Sequence, residues 1–226
     1  MDTNTKIGNI PSATVLGMFA DLSHKLQHGS LTVYQLEKFL KKQNPFVLSH
    51  EQVADWVRMY REVFGIEVDT AELKIPKQKK GFDRLIVVAP GLMPNQIYEA
   101  MGKIMPVWRY KENLNDITSE RKTDKLYAIW VREREEADEE LKNLSAGDLK
   151  KKSVAGITFE ERGLYEIIYF RETGKHLDIY NWTLCSGSRY PDGSVPSMLW
   201  FNGRVGMHWS LSDDREGILR SRVVVS

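Results

Sequence analysis

The stretch SMLWFNGRVGMHWS, residues 197 to 210, decides how the chain is read. Asn202-Gly203 between two alternating apolar runs is a hairpin signal, because both loop positions of a type I′ turn need a positive φ that asparagine and glycine tolerate. With those two residues as the loop, Phe201 pairs with Arg204, Trp200 with Val205, Leu199 with Gly206, Met198 with Met207, and Ser197 with His208. Side chains alternate between faces along a strand, so Met198, Trp200, Val205, Met207 and Trp209 share one face, predicted to be core. The other face carries Ser197, Leu199, Phe201, Arg204, Gly206, His208 and Ser210, a chemically mixed set with no folding logic of its own. These seven, with Asn202 at the turn, are the candidate ligand-binding residues.

The surroundings of the hairpin point the same way. From His176 to the C-terminus there is no lysine, although 18 of the 32 basic residues of the chain are lysines. Trp182, Trp200, Trp209, Tyr180, Tyr190 and Phe201 stand there among Ser, Gly, Asn, Asp and Arg, the composition of a binding surface in which rigid aromatics give contact area and small polar residues adapt. The plain alternative is a loop-rich β region whose tryptophans are core. Upstream, Thr158-Phe159-Glu160-Glu161 is a capping box opening a helix that Gly174 stops, and Gly163 inside it marks a close approach by another element.

Further out, LIVVA at 85–89 and the alternating stretch from Tyr127 to Val131 read as strands. Pro94 opens a helix that Pro106 stops, and EREEADEELKNL at 133–144 reads as a charged helix with a solvated face, followed by a loop from Ser145 to Gly156. The first 75 residues predict three short amphipathic helices: one opening at Ser12 and stopping at Gly29, and two behind the boxes Thr32–Gln35 and Ser49–Gln52. KIPKQKKG, 74–81, reads as a basic linker with solvated lysines. The expected organisation is α+β, a helical region over 1–75 and a second domain over 82–226.

Composition excludes several classes. At 226 residues, 42% hydrophobic, the chain buries a sizeable core and is not disordered. Thirty-two Lys+Arg against 31 Asp+Glu leave no field for nucleic acid or an anionic membrane, and residues 1–80, with 11 basic and 9 acidic side chains, carry no phosphate footprint for a helix-turn-helix. One cysteine, Cys185, permits no internal disulfide and no cysteine cage for a metal. No signal peptide or transmembrane stretch is visible, which makes a cytoplasmic location the default expectation.

TFEERGLYEIIYFRETGKHLD, then WTLCSGSR, DGSVP, the tryptophan-bearing hairpin and the closing GILRSRVVVS resemble the C-terminal part of a formylglycine-generating-enzyme-like, C-type-lectin-like domain, and within it the variable proteins of diversity-generating retroelements. The similarity spans about 82–226, with a variable segment at about 190–222; Gly-x-x-Arg-x-Arg stands where relatives have a Gly-Phe-Arg-like ending. The resemblance implies a non-enzymatic binder of a protein ligand, without cofactor. It also implies mutagenesis at template adenines, typically in AAC-like codons, which cannot yield Met, Trp, Lys, Gln or Glu. All seven outward residues and Asn202 belong to the reachable set; four of the five core-face residues, Met198, Trp200, Met207 and Trp209, do not.

Two other readings compete. One is an enzyme on the same fold, but copper held by a cysteine pair lacks its second ligand here, and Cys185 with His176 and Asp178 matches no local hydrolase signature. His208 has no partner histidine, and Asp192, Asp213 and Asp214 read as turn and loop residues rather than a calcium site. The other is an unvarying interaction module in which the N-terminal helices matter most.

Overall fold

A computed structural model describes residues 12–28, 31, 33–40 and 49–226 of the chain. They fall into two compact units, Met1–Leu48 and Ser49–Ser226. In the first, α1 (Ser12–Gln27) and α2 (Val33–Leu40) form as their apolar spacing predicts. An exposed Lys25–Asp21 ion pair lies along α1. Gly29 and Thr32, read as a helix stop and a cap, lie outside the described residues.

The second unit begins with α3 (Ser49–Met59), which runs through a π turn to Gly65 at φ +70°. This helix belongs to the later domain rather than to a helical region ending at 75. Trp56, Met59, Tyr60 and Val63 are buried in one core with β1 (Arg84–Val88). Residues four apart along α3 and its π turn also reach the free edge of that strand. Gln52 accepts from the Leu85 N–H at 2.8 Å and donates to the Asp83 carbonyl; Trp56 Nε1 donates to the Leu85 carbonyl at 2.9 Å. The Tyr60 hydroxyl donates to the Val87 carbonyl at 2.7 Å and accepts from the Ala89 N–H at 3.1 Å.

KIPKQKKG is not a free linker either. Leu73 and Ile75 pack against the core, and Trp130 Nε1 donates to the Pro76 carbonyl at 2.9 Å, so the stretch is strapped onto the domain.

After β1 come α4 (Pro94–Gly102), β2 (Val107–Arg109), β3 (Thr118–Ser119) and β4 (Tyr127–Val131), the last antiparallel to β1. The expected charged helix at 133–144 does not form; only a 3-10 turn at Glu139–Leu141 interrupts an extended path. Two of its carboxylates are occupied by backbone elsewhere. Glu136 accepts from the N–H groups of Ile179, Tyr180 and Asn181, and buried Asp138 accepts from the Val223 N–H at 2.8 Å and from Arg132 at 2.6 Å. Helical geometry would withdraw those carboxylates, and the long-range bonds win over local propensity.

Within the expected loop, α5 (Ala146–Lys151) has its own Ser145/Asp148 capping box. The central helix, α6 (Phe159–Thr173), carries the box expected from sequence and ends at Gly174 with φ +68°. A Cβ on Gly163 would lie 2.7 Å from Ile97 Cγ2, so α4 crosses α6 at that glycine. Gly163→Ala is therefore expected to destabilise the domain by about 1–3 kcal/mol despite the better helix propensity of alanine, because fully buried Ile97 has no room to yield. Urea titration with an unchanged slope checks it.

Then follow β5 (Trp182–Leu184), β6 (Ser188–Arg189), β7 (Val195–Phe201), β8 (Arg204–Ser210) and β9 (Leu219–Arg220). The main sheet runs β2-β8-β7-β5-β9, with β2 parallel to β8. The hairpin has the register read from its turn, Phe201 opposite Arg204 through Ser197 opposite His208, with Asn202 at φ +50° and Gly203 at φ +74°. Met198, Val205 and Met207 enter the core and Trp200 packs against it. Trp209 does not: it is 38% exposed, because β2 runs beside β8 only as far as the Arg109–Met207 pair. The unit is α+β, and among the described residues no helix is long and apolar enough to cross a membrane.

Candidate functional site

The face of the hairpin that carries no core methionine is open at one end and covered at the other. Phe201 is 57% exposed, Asn202 and Arg204 are exposed, and His208 is half-buried. The remaining candidates, Ser197, Leu199, Gly206 and Ser210, are buried. Ser197 and Ser210 lie at the end where Val195 and Leu184 join Ala146 in a small buried cluster and the Gly147 N–H donates to the Ser212 carbonyl. Leu199 and Gly206 face each other across the strands, and the absent side chain of Gly206 leaves space that Leu199 Cδ2 and the His208 ring approach to 3.3 and 3.4 Å of an added Cβ. The eight candidates therefore do not form one open patch: only Phe201, Asn202 and Arg204, at the turn, are exposed.

The structure adds residues that sequence reasoning did not assign. Trp108 on β2 is the register partner of Gly206, and its ring centroid lies 4.7 Å from that of His208. On the other side of His208 stands Trp182 of β5, at 5.2 Å. Tyr110 continues the run, 6.3 Å from Trp108 and 6.0 Å from Trp209, each edge to face. Arg204 places its guanidinium 5.5 Å from the Trp108 ring centroid, a cation–π contact at the mouth of the surface. Lys111 Nζ sits 3.9 Å from the Tyr190 ring centroid and 2.8 Å from Asp192, closing the edge beside Trp209. Trp182 was noticed as an aromatic, but its place beside His208 required the sheet order. Trp108 gave no local signal, since its three-residue strand pairs in parallel with one almost a hundred residues later.

Electrostatics favour a neutral His208. Burial, with the Arg204 charge added, lowers its pKa from the ordinary value, so the imidazole offers one donor and one acceptor between two indoles.

Rigid packing holds this surface from beneath. Trp200 stacks on His176, whose Nδ1 is 2.9 Å from Glu166 Oε1 and whose ring stacks in turn near Phe170. Behind them Asp178 accepts from Arg162 Nε at 2.9 Å and from Arg222 Nη2 at 2.6 Å, all three side chains buried. Arg222, the last residue of the closing Gly-x-x-Arg-x-Arg, also donates to the carbonyls of Arg134 and Glu135. In the Cys-Ser-Gly-Ser-Arg turn, Ser188 Oγ accepts from the Phe159 N–H, and a Cβ on Gly187 would lie 2.7 Å from the Gly156 carbonyl. Cys185 is fully buried with its thiol pushed upward in pKa by desolvation, which suits a small core residue and not a nucleophile. Among the described residues no group of three His, Cys, Asp or Glu side chains could hold a metal ion.

No family model, no curated protein and no solved structure matches the chain.

Proposed function

We propose that the chain is the variable, ligand-binding protein of a diversity-generating retroelement. In this reading its second unit is a C-type-lectin-like, formylglycine-generating-enzyme-like domain that displays altered residues to a protein ligand and performs no catalysis. The observation that carries the reading is the coincidence of two independent divisions in β7 and β8. The eight candidates, all reachable by adenine mutagenesis, lie on the partly open face or its turn, whereas Met198 and Met207, which it cannot reach, lie in the core and Trp200 packs on it; Val205, reachable and buried, is the exception. The open positions within that set are Phe201, Asn202 and Arg204, with half-buried His208 between Trp108 and Trp182. Trp108 and Trp182, outside the varied hairpin, are the fixed aromatic rim, and Trp209, unreachable and part-exposed, meets it through Tyr110. Such rims suit protein ligands: tryptophan, tyrosine and arginine supply most of the affinity at interfaces.

An enzyme on the same fold and an unvarying interaction module remain the competitors. The buried thiol of Cys185 disfavours the first, and the chemically mixed face weighs against the second.

Replacing Phe201, Asn202, Arg204 and His208 together is expected to leave the melting temperature within a few degrees, since none fills the core, and to redirect recognition. The check is a library randomised at these four positions and panned against unrelated proteins. Folded members that yield selective binders support the reading; a folded library that never binds places recognition elsewhere. In the encoding DNA, the reading requires a near-repeat of the 3′ end that differs at adenines, beside a reverse transcriptase.

A further inference from the structure

Two basic stretches that are distant in sequence converge on one cleft of the second unit. Lys74 and Lys77 come from the strapped segment after α3, and Lys122 and Lys125 from the loop before β4; together they line a cavity of about 660 Å³. Its walls are apolar and aromatic: Ile75, Pro76, Ala128 and the ring of Tyr127. This volume and this mixture of an apolar floor with converging polar groups suit a small ligand rather than a flat partner.

The charges do not cancel. None of the four lysines forms an ion pair with a described residue; two side-chain carboxylates, Glu120 and Asp124, share the lining with Ser226. The fifth cation, Arg121, is oriented from behind. Fully buried Glu161 accepts from its Nε at 2.6 Å and its Nη2 at 2.8 Å, and the Gly156 carbonyl accepts from Nη2 as well. That leaves Nη1 without a hydrogen bond among the described residues, on a guanidinium that already lines the cleft. Tyr127 donates its hydroxyl to the same Glu161, which fixes the ring as a wall. A donor held by a buried carboxylate loses little freedom on meeting a ligand, and such pre-organisation is where affinity is gained.

We infer that this cleft binds a polyphosphate group, presented by a nucleotide or as free polyphosphate, with the four lysines around the anion and Arg121 Nη1 as the directed donor. The site lies outside the hairpin face, and the inference does not depend on what that face recognises. A nucleic-acid backbone is disfavoured because the chain as a whole carries a net charge of only +1.

The experiment is calorimetric titration of the full chain with tripolyphosphate and with ATP at low ionic strength. Binding is expected, weakening as salt is added. Lys122→Glu with Lys125→Glu, both exposed, is expected to lower affinity by about tenfold or more, whereas the control pair Lys150→Glu with Lys151→Glu on α5, with the same change in net charge, is expected to leave it nearly unchanged. ATP binding tighter than tripolyphosphate assigns the group to a nucleotide whose base meets Tyr127; equal affinities assign it to free polyphosphate. Absence of binding by both anions, equal losses from the two variant pairs, or a poly-glutamate peptide binding as well as tripolyphosphate would each overturn the inference, the last in favour of an acidic protein segment.

Discussion

Asp178→Asn is expected to lower the stability of the second unit by about 3–5 kcal/mol, the cost of breaking a buried ion pair by removing one partner. Asp178 is the carboxylate that two fully buried guanidiniums share, Arg162 from α6 and Arg222 from the C-terminal segment, and Thr183 of β5 donates to it as well. Without its charge, Glu166 is the one remaining buried carboxylate bonded to that pair, and it reaches only Arg162. Asparagine is the informative replacement because Asp178 sits at φ +57°, a left-handed conformation that asparagine also adopts readily. The backbone is therefore left alone while the charge is removed. Chemical denaturation of wild type and variant gives the difference, and a loss below about 1 kcal/mol would show that Glu166 suffices for Arg162 and the Arg134 and Glu135 carbonyls for Arg222.

Trp56→Ala is expected to cost about 3–5 kcal/mol as well, by a different route. The indole is 1% exposed, lies in the same core as β1, and donates to the Leu85 carbonyl, so truncation leaves both a cavity and an unpaired acceptor. The paired measurement is Trp209→Ala. That ring is 38% exposed and is expected to change stability by no more than about 1 kcal/mol. Equal losses at the two tryptophans would contradict the placement of α3 as part of the domain's core.

What could be read from the chain divides according to the range of the interactions. The hairpin register, the Thr158 box, the stop at Gly174 and the close approach at Gly163 were legible because a turn, a cap or a missing Cβ is decided within a few residues. The segment 133–144 was misread for the opposite reason. Its composition favours a helix, but Glu136 and Asp138 bond backbone groups more than forty residues away, at 179–181 and 223. The same holds for Lys74 to Gly81, whose lysines suggested a linker while Ile75 packed on the core and the Pro76 carbonyl accepted from Trp130.

In the candidate site, the turn gave the register of the two strands, but alternation could not say which part of the outer face stays open. That depends on Ala146 and the Ser212 carbonyl at one end and on Trp108 at the other, neither of which has a local signature. Trp209 was placed in the core by alternation alone, and the end of β2 decides otherwise.

The hydrogen bonds from α3 to β1 have a consequence for behaviour in crowded solution. A strand paired on one side only is a template for a strand from another molecule, and such edge pairing is a common start of aggregation. Here Gln52, Trp56 and Tyr60 occupy N–H and C=O groups of Leu85, Val87 and Ala89 that an incoming strand would need. Side chains of a helix do the work of a neighbouring strand without offering an edge of their own. The most apolar strand of the domain is thereby withdrawn from intermolecular pairing, and the hairpin can change in stickiness without turning β1 into a seed.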